Sequence, residues 1–118
     1  MKYMLLVYAD EHALSPAERD DCYEKSAQLA RDIHSSGNYL DASPLHLTSS
    51  ATSVRVRDNK RLVTDGPFAE TREQLGGYYL ITAENLDDAI AIAERIPAVH
   101  WGTIEVRPVM EISGLPSD

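Results

Sequence analysis

The chain has 118 residues, of which 43% are hydrophobic and 25% charged, and its 19 acidic and 11 basic side chains give a formal net charge of −8. This length supports one hydrophobic core and is short for two ordinary domains. The acidic balance argues against nucleic acid and anionic membrane surfaces as partners, because both repel a negatively charged protein. We therefore expect one globular domain over residues 1–113, a tail at 114–118, no direct nucleic-acid partner and no membrane attachment.

Cysteine content and hydropathy bear on location. The one cysteine, Cys22, has no second cysteine for an internal disulfide, and the chain opens on strand-like residues instead of a charged segment before a long apolar one. No apolar stretch approaches the roughly 20 residues that a membrane helix needs. These absences predict a cytoplasmic protein.

The first elements predicted along the chain are a strand and a helix. Residues 3–8 form a continuous apolar stretch, which is typical of a central strand covered on both faces. Ser15 then supplies an N-cap, Pro16 a first-turn proline and Glu18 the glutamate of a capping box. The helix is predicted to run to about residue 36. Its apolar spacing is carried by Cys22, Tyr23, Ala27, Leu29, Ala30 and Ile33.

The middle of the chain predicts short strands. Residues 39–42 predict a second strand, and the Thr/Ser-rich stretch 48–53 predicts a loop or the start of a strand. Residues 53–57 and 61–64 predict a hairpin. Its basic residues alternate with apolar ones, which favours a solvated face over a nucleic-acid stripe. They are Arg55, Arg57, Lys60 and Arg61.

The last third predicts strand, helix and strand. Residues 78–83 are rich in aromatic and branched side chains, as strands are. Asn85 caps a second helix that Pro97 closes, and residues 103–110 alternate as a final strand. The apolar positions of this helix have helical spacing and are Leu86, Ala89, Ile90, Ala93 and Ile96.

This order of elements predicts the fold class. It contains two strand-helix-strand units separated by the hairpin, and right-handed crossovers place both helices on the same face of one sheet. We therefore expect an α+β, ferredoxin-like βαβ-(hairpin)-βαβ arrangement with an antiparallel sheet. The other sheet face then lacks a covering layer, and a symmetric homodimer is the simplest way to bury its apolar residues.

Two adjacent segments of the chain resemble a known family. The sequence VTDGPFAET at residues 63–71, followed by EQLGGYYL at 73–80, closely resembles the signature of DGPF-domain proteins in the YCII-related family. Residues 1–6, 86–89 and 105–109 are also similar to that family. The resemblance implies a dimeric α+β barrel, in which two ferredoxin-like sheets pack face to face and leave a pocket in each protomer. Some relatives are encoded beside or fused to RNA polymerase sigma factors, so the resemblance also implies a sigma-factor association.

The same resemblance bears on catalysis. Some YCII relatives are dehydrochlorinases or suspected enzymes with a proposed acid-base pair, a histidine on the first helix and an aspartate after the second. Here the spacing to Gly37 puts the histidine position near Ser26, and the spacing to Pro97 puts the aspartate position on Ile96. An alcohol and an alkyl group cannot carry out that proton transfer. The relatives' chemistry is therefore not transferred to this chain.

The DGPF loop, which we define as residues 65–68, and its surroundings supply the candidate catalytic residues. Asp65 is either a base or ligand contact or a turn cap, and Phe68 is either a pocket wall or a core plug. Glu70 is either a second carboxylate acting with Asp65 or part of a solvated acidic loop. His46 is either an acid-base group near a pocket or a surface residue.

Candidate pocket residues follow the loop. Gly76 and Gly77 permit the close approach of a ligand or another backbone, and the phenol of Tyr78 either orients a small ligand or packs in a core or interface. The four histidines lack the short spacings of metal ligands, and we predict no metal site. Neither a phosphate loop nor a dinucleotide fingerprint occurs in the sequence, and we predict no cofactor.

Two functions remain open at this point, and the sequence does not decide whether the protein is an enzyme. The first is a small-molecule enzyme with acid-base chemistry beside the DGPF loop, which predicts polar groups converging on a pocket. The alternative is a non-catalytic dimeric protein that binds a ligand or serves as a sigma-factor-associated regulatory accessory, which predicts an apolar or closed pocket. In a third interpretation the DGPF loop is purely architectural.

Overall fold

A four-stranded antiparallel sheet is the centre of the computed structural model, which describes residues 1–116. The six strands of the chain are β1 Lys2–Ala9, β2 Tyr39–Pro44, β3 Thr52–Arg57, β4 Lys60–Asp65, β5 Gln74–Thr82 and β6 Gly102–Pro108. The strands of the central sheet lie in the order β2-β5-β1-β6, so the first strand is central, as its apolar run predicts. The hairpin forms a separate two-stranded sheet from β3 and β4.

The helices begin at the residues that the sequence indicates. α1 spans Pro16–Ser35, and the Ser15 side chain accepts a hydrogen bond from the Glu18 backbone N–H at 3.2 Å while the Glu18 carboxylate accepts from the Ser15 backbone N–H at 2.9 Å. α2 spans Leu86–Ala93, with the Asn85 side chain accepting from the backbone of its first turn. Within residues 1–116, neither helix is long and apolar enough to cross a membrane.

Both helices pack on one face of the sheet, which confirms the ferredoxin-like α+β fold. Leu29 and Ile33 of α1 and Ala89 of α2 belong to a single buried cluster that includes inward-facing residues of the central strands. Alternation along a strand sends every second side chain to this face. The remaining buried members are Tyr3, Leu5, Tyr79, Ile81, Ala83, Ile92, Ala93, Ile96 and Ala98.

The second helix buries part of the face that its apolar spacing predicts, including Ala89 and Ala93. Leu86 and Ile90 are 50% and 38% exposed, whereas Ala89, Ile92 and Ala93 are buried. The helix is also shorter than predicted, because the chain turns away after residue 93 and Pro97 begins a 3₁₀ turn, Pro97–His100. Small alanines bring this short helix close to the sheet, and the side chains of Leu86 and Ile90 remain at its margin.

The opposite face of the sheet carries no helix. The side chains that point there from β1 and β5 are half-buried by their strand neighbours. They form an apolar stripe along the two central strands, flanked by polar residues of β2 and β6. The stripe consists of Met4, Leu6, Tyr8, Tyr78 and Leu80.

Candidate functional site

A cleft of about 300 Å³ lies between α1 and the sheet. We call it the helix–sheet cleft. Its lining combines one side of α1, the ends of β2 and β5 that meet there, and residues just after α2. The lining residues are Val7, Cys22, Tyr23, Ser26, Ala27, Ala30, Tyr39, Ala42, Ser43, Pro44, Gly76, Gly77, Tyr78, Tyr79, Ile96 and Ala98.

The helical wall of this cleft explains part of the apolar pattern of α1. Tyr23, Ala27 and Ala30 have the spacing that places side chains on one helical face, and all three line the cleft. Leu29 and Ile33, on the adjacent face, are buried in the core. The sequence therefore predicted one wide apolar face, and the structure divides it into a core stripe and a cleft stripe.

The sheet forms the other wall, and its backbone comes unusually close at Gly77. A Cβ atom on this residue would lie 3.0 Å from the carbonyl oxygen of Ser43 and 3.2 Å from the Cα of Pro44. At these distances a Cβ would require the backbone of β2 to shift by a few tenths of an ångström. The absence of side chains at Gly76 and Gly77 leaves room for the cleft at this edge, and both glycines line it.

The polar groups of the cleft are few and uncharged. The Tyr79 hydroxyl donates a hydrogen bond to the backbone oxygen of Ser26 at 3.0 Å, and burial raises the pKa of this phenol. Burial also raises the pKa of the Cys22 thiol, which keeps it protonated and weakly nucleophilic. Among the described residues, the lining contains no carboxylate, ammonium, guanidinium or imidazole group.

Ser26 and Ile96 lie in this same cleft. The sequence spacing assigned them to the two positions that carry the proposed acid-base pair in YCII relatives, one on α1 and one after α2. The two residues come from segments 70 residues apart, and both line this cleft. Its chemistry differs, because neither side chain transfers protons near neutral pH.

Four of the predicted site residues lie outside the helix–sheet cleft. Asp65 is the last residue of β4 and is exposed, with its side chain making no hydrogen bond among the described residues. Glu70 and His46 are exposed in the connections that follow β4 and β2. Phe68 is 77% exposed, and the Arg55 guanidinium lies 5.0 Å from the centre of its ring. None of the four lines the cleft, and their catalytic or pocket roles stay predictions.

Tyr78 borders the cleft, but its hydroxyl is engaged elsewhere. The phenol donates a 2.7 Å hydrogen bond to the carboxylate of Asp41, and this bond raises the pKa of Tyr78. Strand alternation directs the Tyr78 side chain away from Tyr79 and toward the open sheet face. The neighbouring Tyr79, whose side chain is inward, supplies the only phenol hydroxyl for which a hydrogen bond to the cleft wall is present in residues 1–116.

A larger but shallower groove runs between α1 and the 3₁₀ turn. It is lined by both charged and apolar side chains, and its best-defined ion pair joins Lys25 to Asp21 at 2.9 Å on the exposed surface of α1. Trp101, at its edge, is 37% exposed. Within residues 1–116, no group of three or more His, Cys, Asp or Glu side chains is arranged to hold a metal ion. The helix–sheet cleft is thus the better-enclosed site.

Comparisons with known proteins agree with this fold and with the resemblance noted from the DGPF segment. The YCII-related domain model matches residues 1–113. An uncharacterised protein of Rhizobium meliloti (strain 1021) is 34% identical over 118 residues, an alignment that covers 92% of each chain. The chain therefore belongs to the YCII-related domain family.

Proposed function

We propose that this protein is a non-catalytic binder of a small, uncharged and largely apolar molecule, held in the helix–sheet cleft. One observation carries the proposal: the cleft has an almost entirely apolar lining, and Ser26 and Ile96 occupy the two positions where relatives have a proposed acid-base pair. Of the two functions that the sequence left open, the ligand-binding hypothesis is the one that predicts an apolar pocket.

The chemistry of the lining supports binding over catalysis. General acid-base catalysis is most effective when the pKa of the catalytic group lies near the working pH. The Cys22 thiol and the Tyr79 phenol instead have pKa values raised above their ordinary alkaline values by burial. At neutral pH both groups remain protonated, so they serve as weak hydrogen-bond partners for a ligand and do not exchange protons with it.

Size and polarity define the class of ligand. About 300 Å³ is at the lower end of the range for small-molecule pockets, which suits a one- or two-ring compound. A charged ligand would lose its hydration on entering, and no opposite charge in the described lining would compensate for that loss. The aromatic rings of Tyr23, Tyr39 and Tyr79 offer surfaces for a planar molecule.

Isothermal titration with 1-naphthol, and with 1-naphthoate as a charged match, tests the proposal. We expect 1-naphthol to bind with one site per chain and at least tenfold more tightly than 1-naphthoate. Ala27→Leu adds bulk at the helical wall and should weaken 1-naphthol binding at least tenfold. The matched control is Ala91→Leu, at an exposed position of α2 outside the cleft.

Three results would contradict the binding proposal. The first is a titration with 1-naphthol that shows no saturable binding heat. The second is equal affinity for 1-naphthol and 1-naphthoate. The third is an equal change in 1-naphthol affinity in Ala27→Leu and Ala91→Leu. The enzyme hypothesis is tested in parallel by Asp65→Asn and His46→Gln. If the cleft is the site, both variants retain wild-type affinity, because neither residue lines it. A tenfold loss in either one favours a site beside the DGPF loop.

We also propose that the protein works as a cytoplasmic homodimer. The apolar stripe on the open sheet face supports the dimer, since a second copy of the same face would bury Leu6, Leu80 and their neighbours. The unpaired thiol of Cys22 fits a reducing compartment. Sedimentation velocity at micromolar concentration tests the assembly, and a stable monomer there defeats it.

A further inference from the structure

The β3–β4 hairpin projects from the body of the protein. We call residues 52–65 the arm, and all of them except Ser53 are exposed. The radius of gyration is 16.1 Å, compared with about 13.5 Å expected for a compact domain of this length. An isolated two-stranded hairpin is at best marginally stable in water. The arm therefore has the geometry of an element that packs against something outside its own chain.

The local structure of the arm is well defined. Six cross-strand pairs join the two strands, from Thr52 with Asp65 to Arg57 with Lys60. The connecting residues Asp58 and Asn59 have φ angles of 52° and 62°, as the two-residue hairpin turn that matches strand twist requires. The arm thus presents a regular surface.

One face of the arm carries a patch of valines, with Arg61 on the same face opposite Val56. Directly paired residues of a hairpin lie on the same face, so Val54 and Val63 are neighbours, and Val56 joins them from two positions along its strand. Their exposed fractions are 65%, 49% and 60%. Three adjacent valines, each with about half or more of its surface in water, form a patch of the kind that marks an interaction site.

The charge of the arm is opposite to that of the rest of the molecule. Four basic residues and the two acidic residues Asp58 and Asp65 give the arm a net charge of +2. Since the whole chain carries −8, the remainder carries −10. The formal charge of the arm is therefore complementary to that of the body of another copy. The basic residues are Arg55, Arg57, Lys60 and Arg61.

We propose that the arm docks on the acidic body of a second copy of this chain, with the Val54, Val56 and Val63 patch against it, in a reciprocal exchange between two protomers. Charge complementarity selects this occupant, because every copy presents both the basic arm and the acidic body. A two-fold dimer makes the contact twice and buries both arms. The inference rests on the proposed homodimer and adds a second contact surface to its sheet interface.

Sedimentation velocity over a concentration series tests the docking of the arm. The variant combines Val54→Ser with Val56→Ser. We expect the dimer dissociation constant to rise at least tenfold. Ile112→Ser is the matched control, because Ile112 is 57% exposed and lies outside both the arm and the sheet stripe, and it should stay within twofold of the wild type. Raising the salt concentration should weaken the wild-type dimer, since screening reduces the attraction between arm and body.

Hydrogen exchange on the unmodified protein gives a second measurement that does not depend on the folding of a variant. The arm amides should exchange slowly above the dissociation constant and at least tenfold faster below it. The docking of the arm is overturned if the arm amides of the dimer exchange equally fast at both concentrations and the dissociation constant of the arm variant stays within twofold of the wild type. The proposed sheet-face dimer survives that result. A wild-type protein that is monomeric throughout the series contradicts both the docking of the arm and the sheet-face dimer.

Discussion

Removing one hydroxyl tests how the wall of the helix–sheet cleft is held together. Tyr79 is 5% exposed, and its hydroxyl links β5 to α1 through the Ser26 backbone oxygen at 3.0 Å. Tyr79→Phe removes the donor and keeps the ring. A hydrogen bond of this kind contributes about 1 kcal/mol, so we expect the free energy of unfolding to fall by that amount. The melting temperature should fall by roughly 4 °C.

Tyr78→Phe is the matched control, one position along the same strand. Its hydroxyl donates to the Asp41 carboxylate at 2.7 Å in an exposed position, where water takes over the bond when the hydroxyl is removed. We therefore expect a smaller change than for Tyr79→Phe. Urea unfolding at neutral pH, followed by far-ultraviolet circular dichroism, measures both variants.

The alkaline pH dependence provides a second readout for the same pair. Burial raises the pKa of Tyr79, so the folded protein keeps this proton at a pH where the unfolded chain has lost it. Stability is therefore fully present below about pH 10, the ordinary tyrosine value, and is lost as the pH rises toward the raised value. Tyr79→Phe should reduce this alkaline loss. Unchanged stability at neutral pH together with an unchanged alkaline loss would refute the reasoning.

Further variants test the sheet and the first helix. Gly102→Ala would put a Cβ 2.2 Å from the Tyr8 carbonyl oxygen, and we expect the free energy of unfolding, measured in urea, to fall by about 1–3 kcal/mol. Gly76→Ala should lower it less, because a Cβ there would lie 3.9 Å from its nearest neighbour. Ser15→Ala removes the side-chain acceptor of the capping box, keeps the Ser15 backbone N–H, and should cost about 1 kcal/mol at pH 7. The hydrogen bond from that backbone N–H to the Glu18 carboxylate lowers the pKa of Glu18, so its contribution is present above about pH 4.5 and is lost as the pH falls through the lowered value. Glu18→Gln removes this titration, and the difference in unfolding free energy between wild type and Glu18→Gln should therefore shrink at pH 3; an equal difference at pH 7 and pH 3 would contradict the capping argument.

The features predicted best from sequence are those with local causes. The start of α1 depends on Ser15, Pro16 and Glu18, which lie within four residues of one another, and both reciprocal capping bonds are present. The hairpin was predicted from strand-like segments on either side of a polar turn at residues 58–60. The structure has a two-residue turn, Asp58 and Asn59, with positive φ values, and Lys60 begins β4. Such signals act over a few residues and do not require knowledge of distant partners.

The features missed from sequence depend on distant contacts. β5 begins at Gln74, four residues before its predicted start, because Gln74 and Leu75 pair with the end of β1. The helical spacing of Tyr23 and Ala27 predicts a face packed in the core, but in the structure both side chains line the cleft between α1 and the sheet. Helical spacing alone identifies an apolar face and does not distinguish a packed partner from a cavity. The sequence predicted a pocket beside the DGPF loop, and the spacing that assigned Ser26 and Ile96 to the family's two positions was used only to rule out the relatives' chemistry.

The DGPF loop acquires a physical role at the base of the arm. Gly66, with a φ of 105°, donates its N–H to the Ala51 carbonyl at 2.8 Å, and its own carbonyl accepts from the Ser53 hydroxyl at 2.8 Å. These bonds join the chain entering β3 to the chain leaving β4. Phe68 then stacks beneath Arg55 of the arm. Because these contacts determine where the arm leaves the body, the architectural interpretation explains the loop without a ligand, and chemistry at this loop is not needed for the cleft to bind.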